Sequence, residues 1–501
     1  MTGFKRGLAT AKGLFLPAFT AVLLSGCVVG PDYQKPLLAM PASWSSQKTA
    51  KPAKPAQLSK WWMRLRDPEL NTLVEEAVAG NLDVATAKAK IREARASYRQ
   101  SVGTLLPSAD GSASATRNRV SASSAGTAAS ETYDQYQAGL DASWEIDLFG
   151  ANRRGVEAAA YGSDAAVDDL DAALVTLVGD VATNYIDARG YQARIALARR
   201  TASAQRETAA LTKRKLDAGG ASALDAANAA GQAASTEADI PELEAAYAQS
   251  VHRLSVLTGR EPAALTGRLA RVRAVPAPRL PVPKGIPAQV LARRPDVRAA
   301  ERRLGQSTAL VGQAEANRYP SISLAGALNT TGTQLGDLAR GSSISWSFGP
   351  TLTVPIFTGG QLKAAVELAE AERDQSFLAY RAAVLTALED VENASVSLGK
   401  QRLKAARLAA SASSYREAAR LSHALYGAGS SSFLDVLTAD RSLYTAETAL
   451  IESRVAVATY YVALNKALGG GWDGAVDTAT PAVVDQNTGP HFARLPAPAI
   501  Q

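Results

Sequence analysis

Cysteine is almost absent: Cys27 is the one thiol in 501 residues, which excludes a disulfide within the chain. Histidine is nearly as scarce. His252, His423 and His491 are widely separated and show no metal-ligand spacing. The three methionines, Met1, Met40 and Met63, give no sign of a soft-metal relay. No segment holds the roughly 20 uninterrupted apolar residues of a membrane-spanning helix, so any membrane crossing must be made by β-strands. Dense runs of Lys and Arg are missing too. The formal charge of +7 falls to +4 once Lys5, Arg6 and Lys12 are set aside, and nucleic acid is no expected partner. Asp168, Asp169, Asp171, Glu389 and Asp390 fall in helical stretches and read as solvated charge. With so few groups able to attack or ligate, no enzyme is expected.

What is present begins at the N-terminus. Residues 1–26 carry three cations and no acid, then an apolar stretch over 14–24, then Ser25 and Gly26. That is the pattern of a secretory signal peptide, with an apolar region too short to span a bilayer. The bland reading leaves Cys27 incidental. The alternative is that Leu24-Ser25-Gly26-Cys27 resembles the bacterial lipobox, in which the cysteine is lipidated and becomes the mature N-terminus. No other cofactor is expected. The lipid would be an S-diacylglycerol and an N-palmitoyl group on Cys27, and each buried CH₂ would add about 0.8 kcal/mol of membrane affinity. Val28 stands where an Asp would signal inner-membrane retention, so outer-membrane delivery is favoured.

The rest of the chain is written twice. The stretch from Asn81 resembles the one from Arg294, with Asp83 matching Asp296 and Pro107 matching Pro320. Phe149 matches Phe357. Gly219, Asp225 and Gly259 match Gly429, Asp435 and Gly469, all at a spacing of 210 residues. The reading is a signal peptide over 1–26, a lipidated linker over 27–60, repeats over 61–270 and 286–470 joined by a linker over 271–285, and a disordered tail over 471–501.

Each repeat mixes two periods. Tyr136, Ala138, Leu140, Ala142, Trp144, Ile146 and Leu148 alternate with polar residues or glycine, as do Ile344, Trp346, Phe348, Pro350, Leu352, Val354 and Ile356. Period two over more than ten residues suits an outer-membrane strand better than the shorter strand of a soluble sandwich. Upstream partners lie at 321–331 and, more weakly, at 108–117. That makes four strands per chain. Pro350 fits badly inside a strand and suggests a bend or a start nearby. Four strands cannot close a barrel, and open edges cannot face lipid, so several chains must share one; three would give twelve strands. Elsewhere the period is helical. Val366, Ala369, Phe377, Tyr380, Val384, Leu388, Val391 and Leu398 form one stripe at about 3.6 residues per turn. Long helices are expected over 151–217 and 361–425, broken by glycines and returned by helices over 222–258 and 432–467. Coiled-coil hairpins and a hollow helical tube both fit this pattern.

Several segments carry a family resemblance: Cys27, GPDYQKP at 30–36, WWMRLRDPEL at 61–70, RRPDVRAAE at 293–301, PIFTGG at 355–360 and ALGGGW at 467–472. Together they resemble the NodT-type lipoprotein branch of the TolC-like outer-membrane factors. The resemblance implies an α+β membrane protein. It would be a homotrimer whose twelve-stranded outer-membrane β-barrel continues into a long periplasmic α-helical barrel. The implied function is that of a passive exit duct in a tripartite resistance–nodulation–division efflux pump. A periplasmic adaptor and an inner-membrane transporter would be its partners, with small molecules such as drugs passing through. A type I protein-secretion channel and a non-pore structural lipoprotein are the alternatives. The resemblance also places the periplasmic gate at the turns over 216–225 and 426–441. Tyr426, Leu434, Asp435 and Arg441 match residue types used there, and Leu224 and Asp225 are the repeat equivalents on the first turn. The family often has a second aspartate where this chain has Thr438; Asp440 lies two positions beyond. Either aspartate could instead be a helix cap.

Overall fold

The computed structural model describes residues 28–38, 41–44, 58–121, 130–278 and 290–483. The signal peptide, Cys27 and residues 484–501 lie outside them. A 3₁₀ turn, Trp61–Leu65, leads into α1 (Pro68–Gly80) and α2 (Leu82–Gly103). Strands β1 (Ser108–Val120) and β2 (Glu131–Ile146) precede α3 (Ala151–Asp217), α4 (Ala223–Leu257) and the short α5 (Thr266–Leu269). Then follow α6 (Pro295–Ala316), β3 (Ser321–Gly332), β4 (Ile344–Thr353), α7 (Gln361–Gly427) and α8 (Phe433–Ala467). Both α3 and α7 run 67 residues, and both α4 and α8 run 35. The long helices stand where helical period and glycine breaks put them. The chain forms two units. One takes in the described residues of 1–39, 94–167 and 296–385, and the other those of 40–93, 168–295 and 386–501.

All four strands belong to the first unit and form one antiparallel sheet in the order β1-β2-β3-β4. The register stacks side chains of one kind on each face. Leu140 stands opposite Gly111 and Leu328, and Leu328 opposite Trp346. Ala142, Gly326 and Phe348 form the next row, then Trp144, Leu324 and Pro350, then Ile146, Ile322 and Leu352. The other face carries Asp110 opposite Asp141, and Ser143 opposite Ser108. Ser323 opposite Thr351 and Asn329 opposite Ser345 continue it. A β-strand turns alternate side chains to opposite faces, so the period of two in the sequence becomes one apolar and one polar face. The apolar face is uncovered: Trp346 is 77% exposed and Phe348 69%. Pro350 does not begin its strand: it sits inside β4, opposite Leu324, and β4 has one edge open within this chain. The first strand reaches Val120, three residues beyond its expected end, and the fourth stops at Thr353.

The second unit is helical around an aromatic and ionic core. Trp62 stacks on Trp472, while Trp61 meets Trp62 and Tyr461 edge-on and its indole N–H donates to the Gly470 carbonyl at 3.2 Å. The Asp67 carboxylate caps α1 through the Glu69 amide and accepts the Tyr185 hydroxyl at 2.6 Å. The buried Arg189 guanidinium donates to the Gln192 side chain and to the carbonyls of Leu269 and Arg271. Buried polar groups of this kind are tolerated because they are paired. One acid read as solvated proves otherwise: Asp168 is buried. Asp390 keeps a half-exposed side chain and pairs with Arg294 at 3.0 Å. Membership of a helix did not reveal which face each would occupy.

Gly259 closes α4 with φ +72°, and a Cβ there would lie 2.1 Å from the Gly80 carbonyl oxygen. Gly219 has a similar φ of +75° but open space around it. Gly219→Ala should therefore cost only the left-handed backbone penalty, about 1–2 kcal/mol. Gly259→Ala should cost more, about 2–4 kcal/mol, by adding a steric clash. Thermal unfolding of both variants, followed by helical circular dichroism, checks the order.

Candidate functional site at the glycine-broken helix turns

Within the second unit the two 67-residue helices end in turns built alike. At the end of α3, Gly219 takes φ +75°, its N–H donates to the Leu216 carbonyl, and the Gly220 N–H donates to the Lys215 carbonyl at 2.7 Å. At the end of α7, Gly429 takes φ +77°, and the N–H of Ser430 donates to the Leu425 carbonyl at 2.9 Å. Glycine at this position carries no Cβ penalty, and the paired bonds satisfy the last carbonyls of the helix. A serine then starts the returning helix in each case. The Ser222 hydroxyl accepts the Asp225 amide, and Asp225 Oδ2 accepts the Ser222 amide and hydroxyl at 3.2 and 2.7 Å. Ser432 and Asp435 make the same reciprocal box, at 3.1 and 2.8 Å. Both aspartates thus serve as capping residues in the single chain.

The other predicted residues separate into buried and exposed. Tyr426 is buried with Phe433, Val436, Leu437 and Ala229. Its hydroxyl lies 3.2 Å from the Thr212 hydroxyl. Lys215 donates to the Tyr426 carbonyl at 2.7 Å and lies 3.9 Å from the ring centroid. Tyr426 therefore latches the end of α7 to the end of α3. Leu434 and Leu224 point outward, 65% and 69% exposed. Arg441 reaches from α8 to α4, where its Nε donates to Gln232 Oε1 at 2.5 Å. Three residues further on, the Tyr444 hydroxyl donates to Asp239 at 3.0 Å. Burial first, and then that hydrogen bond, push the phenol up to about 12.

Sequence reasoning missed Lys215, Tyr444 and the pairing of His423 with Asp440. His423 Nε2 lies 2.8 Å from Asp440 Oδ1 across the α7–α8 hairpin. Two helical turns away, Arg416 pairs with Glu447 in the same register. In sequence Asp440 shows only as an acid two positions beyond Thr438, and His423 only as one of three scattered histidines. Folding the hairpin about Gly429 would have brought the pair together. Among the described residues, no group of three or more His, Cys, Asp or Glu could hold a metal ion.

The hydrogen bond to Asp440 holds the His423 imidazole above its ordinary value, against the opposing effect of its burial. A raised folded-state pKa gives stability that is fully present below the unfolded value of about 6.5 and is lost as pH rises through the folded one. Amide exchange at 423–440, corrected for intrinsic rates, should be slower at pH 6 than at pH 8. The half-exposed site limits the effect to about two-fold. Asp440→Asn should abolish the difference.

Comparison with known proteins places this geometry. The family model described as outer membrane efflux protein matches residues 73–260 and 286–470. Nodulation protein T of Rhizobium leguminosarum bv. trifolii is 36% identical over 91% of this chain and 97% of its own length. The probable efflux pump outer membrane protein TtgC of Pseudomonas putida is 32% identical over 92% of this chain and 96% of its own. The solved outer-membrane channel OprN matches with a TM-score of 0.83 at 35% identity, covering 89% of this chain and all of that one. With matches that span both halves and nearly the full length of its relatives, this chain belongs to the outer membrane efflux protein family.

Proposed function

We propose that three copies of the chain assemble into the exit duct of a tripartite efflux pump of the resistance–nodulation–division type. The protein is an outer-membrane efflux channel. The single observation that carries the trimer is the sheet. Its apolar face is bare, and its outer strands, β1 and β4, each have one edge unpaired within the chain. Unpaired backbone groups cost several kcal/mol each in hydrocarbon, so a sheet in a membrane must close. Three four-stranded sheets make twelve strands with the polar face toward the lumen.

In this reading the repeated helices form the periplasmic conduit, and an adaptor and an inner-membrane transporter deliver small molecules to it. Cys27 carries N-palmitoyl and S-diacylglycerol groups that anchor the protein in the outer membrane. The channel supplies no energy. Its gate lies at the two turns, with Tyr426 as the latch and Leu434, Asp435, Arg441 and Asp225 beside it. Three Asp435 carboxylates about a symmetry axis would favour cations and repel anions.

Two measurements test this reading. Leu328→Arg places a charge on the apolar face of an inner strand and should cost about 2–4 kcal/mol if that face meets lipid. Loss of heat-stable, outer-membrane-fractionated oligomer reports it, while Asn329→Arg on the polar face should be tolerated. In planar bilayers the wild type should pass little current. Tyr426→Phe and Asp435→Ala should each raise open-channel current several-fold. Ser432→Ala removes only the cap, at about 1 kcal/mol, and so separates ring charge from turn stability. Silence from every version beside a conducting control, with no oligomer on detergent extraction, would favour a non-pore structural lipoprotein.

A further inference from the structure

The segment that follows Cys27 reads as a linker in sequence, yet the structure docks it. The Val29 amide donates to the Phe149 carbonyl at 3.1 Å, at the junction of β2 and α3. Arg154, on the first turn of α3, is buried and gathers the strap: its guanidinium donates to the carbonyls of Val29 and Gly30, each at 3.2 Å. It also meets Asp32 at 2.7 Å and Glu157 at 2.7 Å. Gly30 has φ +90°, and a Cβ on it would lie 2.3 Å from the Gly312 Cα. A Cβ on Gly312 would lie 2.8 Å from the Arg154 Nε. Two bare glycines thus let strap, α6 and guanidinium stack in direct contact, an approach only glycine allows. Further along, Tyr33 donates to Glu301 and meets the Tyr161 ring edge-on, and Lys35 pairs with the same glutamate. Past Pro36 the grip ends, and Leu37 is fully exposed.

A strap held by a buried, fully engaged arginine is unlike a flexible tether, whose end wanders over a distance growing with the square root of its length. Its first held residue lies where β2 ends. Exposed apolar side chains follow the end of β4 in the same unit: Val354, Ile356 and Phe357, the last two about 90% exposed. We propose that residues 28–35 are a positioning dock that holds the lipid-bearing residue at the sheet–helix junction. The acyl chains would then enter the periplasm-facing leaflet at a set place beside the strands. The dock rests on the reading that Cys27 is lipidated. It adds that the anchor's position, and not only its presence, serves assembly of the channel.

The test inserts a flexible Gly-Ser segment of about ten residues at either of two places in the full-length chain. Between Val28 and Val29 the insertion frees the lipid from the dock. Between Leu37 and Leu38 it leaves lipid and dock together. Palmitate labelling reports lipidation, and heat-stable oligomer in the outer-membrane fraction reports assembly. All forms should label. The first insertion should lower the yield of assembled channel about five-fold, through the fall in local concentration that a longer tether brings. The second should leave it unchanged. Arg154→Leu should reproduce the first insertion, and the Val29 amide should lose its protection from hydrogen exchange. Labelled protein that assembles equally well with either insertion would overturn the dock while leaving the anchor intact. A wild type without label would remove the anchor reading and the dock with it.

Discussion

Hydrogen bonding of the backbone in a medium without water governs this protein. A strand in hydrocarbon must find partners for every N–H and C=O, and the described residues supply four strands. In the proposed channel that shortage calls for other copies. Among the described residues no helix is apolar and long enough to cross a bilayer. On the polar face Asp110 and Asp141 stand directly opposite each other and exposed, a placement that like charges resist in a dry setting and that water tolerates.

The helical unit solves a different problem, that of holding long helices in register with few aromatic residues. It concentrates those it has. Trp61, Trp62, Trp472 and Tyr461 pin the chain before α1 to the chain after α8. Buried ions do the rest by bonding to backbone as well as to one another, as Arg189 does with the carbonyls of Leu269 and Arg271. Removing a partner from such a group leaves a buried charge uncompensated, which makes this core intolerant of partial change.

Much of this was legible in the sequence, for identifiable reasons. The helix boundaries at 151, 217, 361 and 467 follow from glycine and from a period of 3.6, both local signals. Strand alternation was equally local, and it placed β2 and β4 within a few residues of their observed positions. Pro350 misleads because a missing N–H need not interrupt a ladder: the pairing of β4 with β3 runs through it from Ile344 to Thr353. Pairings between segments far apart in sequence were opaque. Nothing near Arg154 announces that it will hold residues more than 120 positions earlier. Nothing near Tyr426 announces Lys215. The cap reading weighed for Asp225 and Asp435 could be drawn from the glycine break alone, but whether a carboxylate also lines a pore depends on neighbours the sequence does not order.

The two capping boxes carry a genetic consequence. Ser222 with Asp225, and Ser432 with Asp435, spend the aspartates on turn geometry. A substitution that removes the side-chain oxygen at either position would loosen a hairpin, whereas Asn keeps an acceptor for the serine while removing the charge. Leu224 and Leu434 carry no such duty: their side chains point outward, so they can change while the turns beneath them stay the same.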